Sequence, residues 1–451
     1  MTDFNAFFDP RSVAVIGASR KKDSIGEVIM HNFIQHFRGK SYPVNPNAKQ
    51  ILGKKCYRTI TDVPGSVDMA VIAVPAKFVP QVMRECAQKR VPAAVIITSG
   101  FSEVGNHELE EEITRIARTT GPRVIGVNCL GVFDSKTDVD TLFLPRSKMD
   151  RPKRGNVAFI SQSGAVGSIV LDWIASRGIG MSKFVSYGNA TDLNDYDFIE
   201  FLGRDANTKV ICSYMEGTKD GRKLMAAAKK AKKPIIVLKA GRTNEGTSAV
   251  SSHTGSLAGA DAVYDAAFHQ SNIIRANDIE EMFDFARVFS KQPPARGKKV
   301  MIITNGGGFG VLATDAIIQN GLELAKWDSK SRKALKKVLP WYAPVHNPMD
   351  LVGDANAARY KVALDCAMDD PNVDAVLCIT LFQTTSLEPD VVKHVINFSK
   401  RRKKPIVGCA AGGKYTHDNM KRLEDAGVPM YEAPHEAAKV LGVLAKYGGR
   451  L

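Results

Sequence analysis

Short apolar segments that run directly into glycine-rich turns recur along the chain. They begin at Val13, Val157 and Val300, and an amphipathic stretch follows each turn. Each opening therefore predicts a β-strand, a tight turn and an α-helix. Between the openings, β-branched runs alternate with helical stretches, which requires parallel sheets. The predicted strands in this text cover residues 69–74, 93–98, 209–214, 235–239, 375–380 and 405–409. The fold class is therefore α/β, with doubly wound parallel sheets.

The length of 451 residues suits three domains of roughly 150 residues each. Two polar, basic, proline-containing stretches, residues 146–155 and 290–299, read as linkers between them. We therefore expect domains at residues 1–145, 155–290 and 298–451.

The second and third predicted domains also match each other. At a constant offset of 143 residues, 160–167 align with 303–310. Farther along the chain, at a larger offset, 232–235 align with 403–406. This indicates an internal duplication. The second domain carries an insertion, residues 244–260, which is rich in Gly, Ser and Thr and contains His253. The insertion has too few large apolar side chains to pack as a core. We therefore expect it to be a surface loop.

The charge balance by itself is ambiguous. Lys and Arg number 62 against 47 Asp and Glu, a net charge of +15, which attracts any polyanion. The densest basic runs, 229–233 and 400–404, end helical stretches, where cations are favourable. No RNA-reading or zinc-finger motif accompanies them, so we expect no nucleic-acid partner.

Other composition features restrict the class of protein. No apolar run reaches the roughly 18 to 20 residues of a membrane span, and the amino terminus lacks the order of a signal peptide. We therefore expect a cytoplasmic protein without a membrane partner. No pair of the seven cysteines is spaced as CxxC, so they read as buried thiols and we expect no metal site.

The first turn favours a phosphate ligand over a nicotinamide dinucleotide. Residues 17–26 place three cations between glycines but do not satisfy G-x-G-x-x-G. Residues 42–47, at the end of the second predicted strand, offer no carboxylate for a ribose. Backbone N–H groups at a turn before a helix suit a phosphate.

Taken together, these motifs resemble the NDP-forming acyl-CoA synthetases, the family that includes succinyl-CoA synthetase and the large subunits of ADP-forming acetyl-CoA synthetases. The resemblance covers essentially the whole chain. Its most specific part is residues 250–259, which look like the phosphohistidine loop around His253. The other matching segments are residues 13–17, 42–46, 97–101, 126–129, 161–164, 215–217, 305–308 and 347–351.

The resemblance implies a role for each domain. The first would be a Rossmann-like CoA-binding domain, and the other two would be flavodoxin-like. The implied CoA-binding residues are Gly17, Ser19, Ser24, Asn45, Pro46, Lys49, Pro75, Thr98, Ser99, Asn128 and Cys129. The implied phosphate-binding residues are Ser161, Gln162, Ser163, Gly164, Thr384 and Thr385, and the implied substrate-binding residues are Asn305, Gln383 and Ser168.

The resemblance also implies the reaction. Acyl-CoA and phosphate would give an acyl phosphate between the second and third domains, and the phosphoryl group would pass to His253 and then to ADP. A phosphohistidine needs an acceptor on its other ring nitrogen, and Glu216, at a predicted strand end, is the candidate. Magnesium-bound ADP or ATP would sit on a separate ATP-grasp β subunit, in an α2β2 assembly.

The acyl group is expected to be a small monocarboxylate, because Ser168, Gln383 and Thr384 depart from the succinate pattern. A helix beginning near residues 384–386 is expected to supply a second dipole for the phosphate. Two alternatives stay open. One is a non-catalytic CoA-binding or acyl-CoA-binding regulatory module, and the other is an NAD-dependent dehydrogenase.

Overall fold

The computed structural model describes residues 3–254 and 260–449. The chain divides into two compact units, Met1–Met282 and Phe283–Leu451. The three strand, turn and helix openings predicted from the sequence are confirmed, and so are the six predicted strands between them. Among the described residues, no helix combines the length and apolar character needed to cross a bilayer.

The first sheet of the first unit is parallel throughout, in the order β2-β1-β5-β6-β7. Its strands are β1 (Ser12–Ile16), β2 (Lys40–Val44), β5 (Met69–Ile72), β6 (Ala93–Ile96) and β7 (Arg123–Gly126), and β3 (Gln50–Ile51) and β4 (Lys54–Lys55) form a separate hairpin. The helices are α1 (Asn5–Phe8), α2 (Ile25–Gln35), α3 (Val79–Gln88) and α4 (His107–Thr119). The central strands are buried along their whole length, as their unbroken apolar runs require.

The second sheet has the order β14-β13-β12-β10-β11-β8-β9. Its strands are β8 (Gly131–Asp134), β9 (Val139–Asp140), β10 (Arg154–Ser161), β11 (Met181–Ser186), β12 (Val210–Met215), β13 (Ile235–Lys239) and β14 (Ile274–Ala276). The helices are α5 (Gly164–Ser176), α6 (Asp195–Arg204), α7 (Gly221–Ala231), α8 (Asn244–Thr254) and α9 (Asp261–Gln270), and α10 (Ile279–Lys291) begins in the first unit and continues into the second. β8 runs antiparallel to both β11 and β9, so this sheet is mostly parallel with an antiparallel edge.

The sheet of the second unit is parallel, in the order β16-β15-β18-β19-β20 with β17 also paired to β15. Its strands are β15 (Lys299–Thr304), β16 (Glu323–Leu324), β17 (Met349–Asp350), β18 (Ala375–Ile379), β19 (Ile406–Cys409) and β20 (Met430–Tyr431). The helices are α11 (Gly307–Gln319), α12 (Ser329–Val338), α13 (Ala357–Asp369), α14 (Asp390–Lys400), α15 (Lys414–Asp425) and α16 (Pro434–Gly448).

Matching contacts in the two units support the internal duplication. In the turn after β10, the Ser161 hydroxyl donates to the Ser163 carbonyl, and at the same offset Thr304 donates to the Gly306 carbonyl. Lys233, at the end of its basic run, donates to two carbonyls at the end of α6. Lys404 does the same at the end of α13. The last lysine of each basic run therefore caps the carboxyl end of a neighbouring helix, α6 or α13, and not only the helix that the run itself ends.

The two sheets of the first unit share one continuous core. Phe4, just before α1, and Phe8, the last residue of α1, both stack on Phe201 of α6. The chain after β11 also runs along β7, because the N–H groups of Thr191 and Leu193 donate to carbonyls of that strand. This packing holds one face of the first sheet against the second sheet.

The insertion differs from its prediction. Residues 244–254 form α8, so the expectation of a surface loop is wrong for this part. The Thr243 hydroxyl accepts a hydrogen bond from the Gly246 N–H at 3.0 Å, and its carbonyl accepts one from Thr247. Because Thr243 thereby satisfies donors that a helix start leaves free, small polar residues suffice to build the helix. Residues 255–259 lie outside the described part of the chain.

The domain boundaries and the cysteines complete the comparison with the sequence. β8 and β9 belong to the second sheet although they precede residue 145, and Arg151 of the expected linker binds the buried Asp140 at 2.9 Å. The three expected domain boundaries therefore stay predictions.

The cysteines are free thiols; Cys366 is half-buried and the others are buried, as expected.

Candidate active site

One cavity of the first unit is lined by residues from four predicted groups, the CoA-binding, phosphate-binding, substrate-binding and catalytic residues. It has a volume of about 1000 Å³ and opens between the first sheet and the second. Ten of the residues implied by the family resemblance line it: Pro75, Thr98, Ser99, Asn128, Cys129, Gln162, Ser163, Gly164, Ser168 and Glu216. Segments from residue 75 to residue 216 of the chain thus meet in a single pocket.

The wall from the first sheet is held by local hydrogen bonds. The Thr98 hydroxyl donates to the Val74 carbonyl at 2.7 Å, and the Asn128 N–H donates to the Thr98 carbonyl at 2.8 Å. Asn128 adopts a φ of 53°, a left-handed conformation that asparagine tolerates. Cys129 is 4% exposed, and burial raises the pKa of its thiol to about 12. The thiol therefore stays protonated near neutral pH. It forms part of the cavity wall and does not act as a nucleophile.

The turn from Gly17 to Gly26 borders this cavity. Gly17 has a φ of 94°, and a Cβ there would lie 2.3 Å from the Ala73 carbonyl oxygen, so the turn requires glycine. The Ser19 hydroxyl accepts from the Lys21 N–H, and the Ser24 hydroxyl donates to the Lys21 carbonyl. Asn45 braces the turn by donating to the Ala18 carbonyl at 2.8 Å.

Of the turn itself, only its end reaches the cavity, where Ile25 is part of the lining. Lys49 and Arg20 instead line a separate surface depression beside it. Pro46 lies in the turn after β2, next to Asn45. The implied CoA-binding residues therefore fall into a set that lines the cavity and a set, in the Gly17–Gly26 turn and after β2, that does not.

The opposite wall is the start of α5. Ser163 caps this helix by accepting a hydrogen bond from the Val166 N–H at 3.3 Å. Gln162 accepts, through Oε1, from the N–H groups of Glu216 (2.8 Å) and Gly217 (3.1 Å). Gln162 therefore ties the helix start to the strand end that carries Glu216. Its Nε2 group is left as the donor available to a ligand.

The other residues expected at this turn differ in position. The Ser161 side chain is fully buried and donates to the Ser163 carbonyl at 2.6 Å. It therefore stabilises the turn and is not part of the cavity lining. Ser168 does line the cavity, and its hydroxyl donates to the Ala165 carbonyl one turn back.

Glu216 directly follows β12 and is 5% exposed. Burial, together with the nearby Glu216 carboxylate, raises the pKa of Tyr214 to about 12. His253 lies in the last turn of α8, and its side chain lies outside the described residues. α8 itself packs against the 3₁₀ helix Ser102–Val104, of which Ser102 and Glu103 line the cavity. The helix that carries His253 thus adjoins the same pocket.

Several polar lining residues were missed by the sequence analysis. Asn189 donates through Nδ2 to Ser102, to Glu103 at 2.7 Å and to Glu110 at 2.9 Å. Lys219 donates to the Ala190 carbonyl at 2.7 Å; burial lowers its pKa, and the nearby Glu110 opposes that shift. The missed lining also includes His107, Tyr187 and Asp195. The polar run 188–195 directly after β11 was an available signal, because ligands of parallel sheets bind beyond the carboxyl ends of strands.

The residues expected in the third domain lie in the second unit. Gln383 and Thr384 line a small apolar cavity there. Asn305 is 2% exposed, and its amide is engaged on both sides: Oδ1 accepts from Tyr360 and from the Leu381 N–H, and Nδ2 donates to the Leu381 carbonyl and Thr384. Asn305 therefore holds the 381–384 turn in this structure.

The helix expected near residues 384–386 is a wrong prediction. α14 begins only at Asp390, and Thr385 lies in a turn. Glu388 precedes Pro389, which disfavours helical backbone at that position, and its carboxylate instead accepts from the Ala357 N–H at 2.6 Å. Thr384 and Thr385 thus do not lie at a helix start.

Three protein-family models match the chain. Residues 11–134 match a CoA binding domain, residues 154–289 a succinyl-CoA ligase like flavodoxin domain, and residues 300–449 a ligase-CoA domain. The alpha subunit of an ADP-forming acetate–CoA ligase I from Pyrococcus furiosus is 43% identical, over 98% of this chain and 97% of its own.

Two further proteins are similar over nearly the whole chain. An ADP-forming acetate–CoA ligase I from Archaeoglobus fulgidus is 41% identical over 98% of this chain, which spans only 63% of that longer protein. A solved dinucleotide-forming acetyl-coenzyme A synthetase 1 from Candidatus Korarchaeum cryptofilum, in complex with phosphate and ADP, superposes with a TM-score of 0.92 at 39% identity, covering 99% of this chain and 97% of that chain. Three matching domain models in order, together with these relatives, show that the chain belongs to the family of ADP-forming acetate–CoA ligases and is of the alpha-subunit type.

Proposed function

We propose that the chain converts acyl-CoA and phosphate into acyl phosphate and CoA in the cavity of its first unit, and that His253 carries the phosphoryl group onward to a nucleotide on a partner subunit. The observation that carries this proposal is the lining of the cavity. One wall holds the implied CoA residues Thr98, Ser99 and Asn128, and the other holds Gln162, Ser163 and Glu216.

The start of α5 supplies the electrostatics for the phosphate. The free N–H groups and the dipole of a helix of 13 residues favour an anion at its first turn. Gln162 adds a side-chain donor there, and its bond to the Glu216 N–H keeps the phosphate and the carboxylate in fixed relative positions. Phosphoryl transfer depends mostly on such positioning and charge.

Glu216 serves as the orienting acceptor for His253. A carboxylate on one ring nitrogen fixes the tautomer and makes the other nitrogen more nucleophilic. Glu216 is nearly buried and its backbone N–H is held by Gln162, so its own position varies little. In this scheme the acyl phosphate donates its phosphoryl group to the histidine, and the carboxylate product leaves.

The partner and the substrate remain proposals. The histidine must deliver its phosphoryl group to a nucleotide, and we expect that nucleotide, as magnesium-bound ADP or ATP, on an ATP-grasp β subunit in an α2β2 assembly. The relatives named as acetate–CoA ligases support a small monocarboxylate substrate. Membership of this family leaves no reason to retain the dehydrogenase alternative. A cytoplasmic location remains a prediction of the sequence.

The test is acid-labile, base-stable labelling of this chain by radioactive phosphate in the presence of acetyl-CoA. We expect His253→Ala to abolish the label and ATP formation while CoA still binds. The matched control is His269→Ala, which removes an exposed histidine from α9. An active complex without label at His253, or an Ala variant with full activity, would refute the proposal. A regulatory module without catalysis would show CoA binding and no label at all.

A further inference from the structure

Two buried polar atoms of residues that line the cavity have no hydrogen-bond partner among the described residues. They are Oδ2 of Asp195 and the hydroxyl of Tyr187. Asp195 is 2% exposed and Tyr187 is 1% exposed, and both belong to the lining that also contains Gln162 and Glu216. A buried polar atom without a partner destabilises a fold by about 1–3 kcal/mol, so such a pair in a pocket points to a role with a ligand.

The other half of the Asp195 carboxyl group is firmly held. Asp195 is the first residue of α6, and its Oδ1 accepts from the Tyr196 N–H at 2.8 Å and from the Thr218 hydroxyl at 3.1 Å. Thr218 lies two residues after Glu216 on the same strand end. These bonds fix the carboxyl group and leave its second oxygen without a partner among the described residues.

The surroundings make this carboxyl group easy to protonate. Burial raises the pKa of Asp195 to about 7, although the bonds from Thr218 and Tyr196 oppose the shift. The negative charges of Asp197 and Asp220 raise it further. The titratable groups around Asp195 are Asp197 and Tyr196 on α6, Asp220 and Glu216 after β12, Tyr187 after β11, and Tyr264 on α9. A group of this kind changes its protonation state near neutral pH, where acid–base catalysis is most efficient.

The other carboxylates of the lining are already occupied. Glu103 accepts from the Gly100 and Phe101 N–H groups and from Asn189; although burial acts in the other direction, these bonds lower its pKa. Glu110 accepts from the Ser102 N–H, from Asn189 and from Thr191. Glu216 is assigned above to the histidine. Asp195 is the lining carboxyl group with an oxygen free to take a proton.

We propose that Asp195 is the general acid and base for the thiol of CoA. The proposal rests on the function proposed above, because it needs CoA and acyl phosphate in this cavity. When thioester forms, Oδ2 takes the proton from the thiol, sulfur forms a bond to the acyl carbon, and the carbon–oxygen bond to phosphate breaks with its electron pair leaving on phosphate. In the opposite direction, phosphate attacks the acyl carbon, the carbon–sulfur bond breaks, and Asp195 returns the proton to the departing sulfur.

This assignment predicts opposite pH dependence in the two directions. Thioester formation needs the carboxylate, so its rate rises as the pH increases through about 7 and then levels. Phosphorolysis of acyl-CoA needs the protonated acid, so its rate falls as the pH increases through the same range. These two pH-dependent changes in rate are the limbs of the two pH profiles. A residue with a purely structural role would not produce limbs of opposite slope at the same pH in the two directions.

The experiment measures thioester formation from acetyl phosphate and CoA, and release of CoA from acetyl-CoA and phosphate, in the full chain with its partner subunit if it has one. Both are run in a His253→Ala background, in which the histidine step is absent. Asp195→Asn should slow both directions by roughly 10²- to 10⁴-fold and remove both pH limbs. The matched control is Asp197→Asn on the same helix. It should keep its rates, with the limbs moved slightly to lower pH, because the charge of Asp197 raises the pKa of Asp195.

A second variant covers the case in which Asp195→Asn does not fold. Thr218→Val removes a hydrogen bond that lowers the pKa of Asp195, so both limbs should move to higher pH. Limbs that stay in place in Thr218→Val, or an Asn variant that keeps its rates, would overturn the assignment. If the pH dependence is as predicted in the His253→Ala background but the wild-type chain carries no histidine label, the phosphohistidine route is contradicted and Asp195 stays as assigned.

Discussion

Gln162 offers a sharp test of where phosphate binds, through the substitution Gln162→Glu. The side chain keeps its shape, and a carboxylate oxygen can still accept from the N–H groups of Glu216 and Gly217. The fold should therefore be retained. What changes is the charge beside the first turn of α5, where we place the phosphate.

The size of the effect follows from Coulomb's law. A negative charge roughly 5 Å from a phosphate charge, at an effective dielectric constant of about 20, is repelled by about 3 kcal/mol. Since each 1.4 kcal/mol corresponds to about a tenfold change, KM for phosphate should rise by roughly 10²-fold. High salt should reduce the effect only in part, because Glu216 beside it is nearly buried.

The assay follows CoA released from acetyl-CoA at increasing phosphate concentration. The comparison variant is Gln162→Ala, which carries no charge but leaves two backbone N–H groups without their acceptor, at a cost of about 1–3 kcal/mol each. It should lower the melting temperature more than Gln162→Glu does, and raise KM for phosphate less. If Gln162→Glu binds phosphate as the wild type does, the start of α5 is not the phosphate site.

Two further outcomes concern the substrate and the stability of the first unit. The reconstituted complex should give a higher kcat/KM for acetate than for succinate, because Lys219, the cation found in the cavity, is already bonded to Ala190 and lies near Glu110; equal values would contradict this. Asp140→Asn should destabilise by about 3–5 kcal/mol, since Asp140 is fully buried and pairs with Arg151, whose side chain is 3% exposed. Calorimetry should show a large drop in melting temperature for this variant and almost none for Glu112→Gln in the more exposed Arg84–Glu112 pair.

Much of the fold was predictable because its signals are local. An apolar run followed by a glycine turn identified β1, β10 and β15, since the strand and the turn depend on neighbouring residues alone. The start of α14 was misplaced because Thr384 and Ser386 resemble a helix cap, whereas Pro389 decides where the backbone can become helical. The helical part of the insertion was missed because its composition is that of a loop, and a single residue, Thr243, supplies the cap.

The candidate site was predictable only in part, for a different reason. The family motifs located Thr98, Gln162 and Glu216, and the fold brings all of them to one cavity. Asp195 and Lys219 carry no motif, and their importance arises from neighbours such as Ala190 and Thr218 that only the folded chain brings together. Burial, which controls the pKa of Asp195, likewise depends on how the two sheets pack.

The central claim is that CoA reaches across this cavity, with its thiol end beside the start of α5 and the end of β12. Crosslinking with a CoA thioester that carries a photoreactive acyl group, followed by peptide mapping, tests it most directly. We predict crosslinks within residues 161–168 or 214–219, competed by CoA. Crosslinks that CoA competes away but that map elsewhere on the chain, with neither segment modified, would contradict the account.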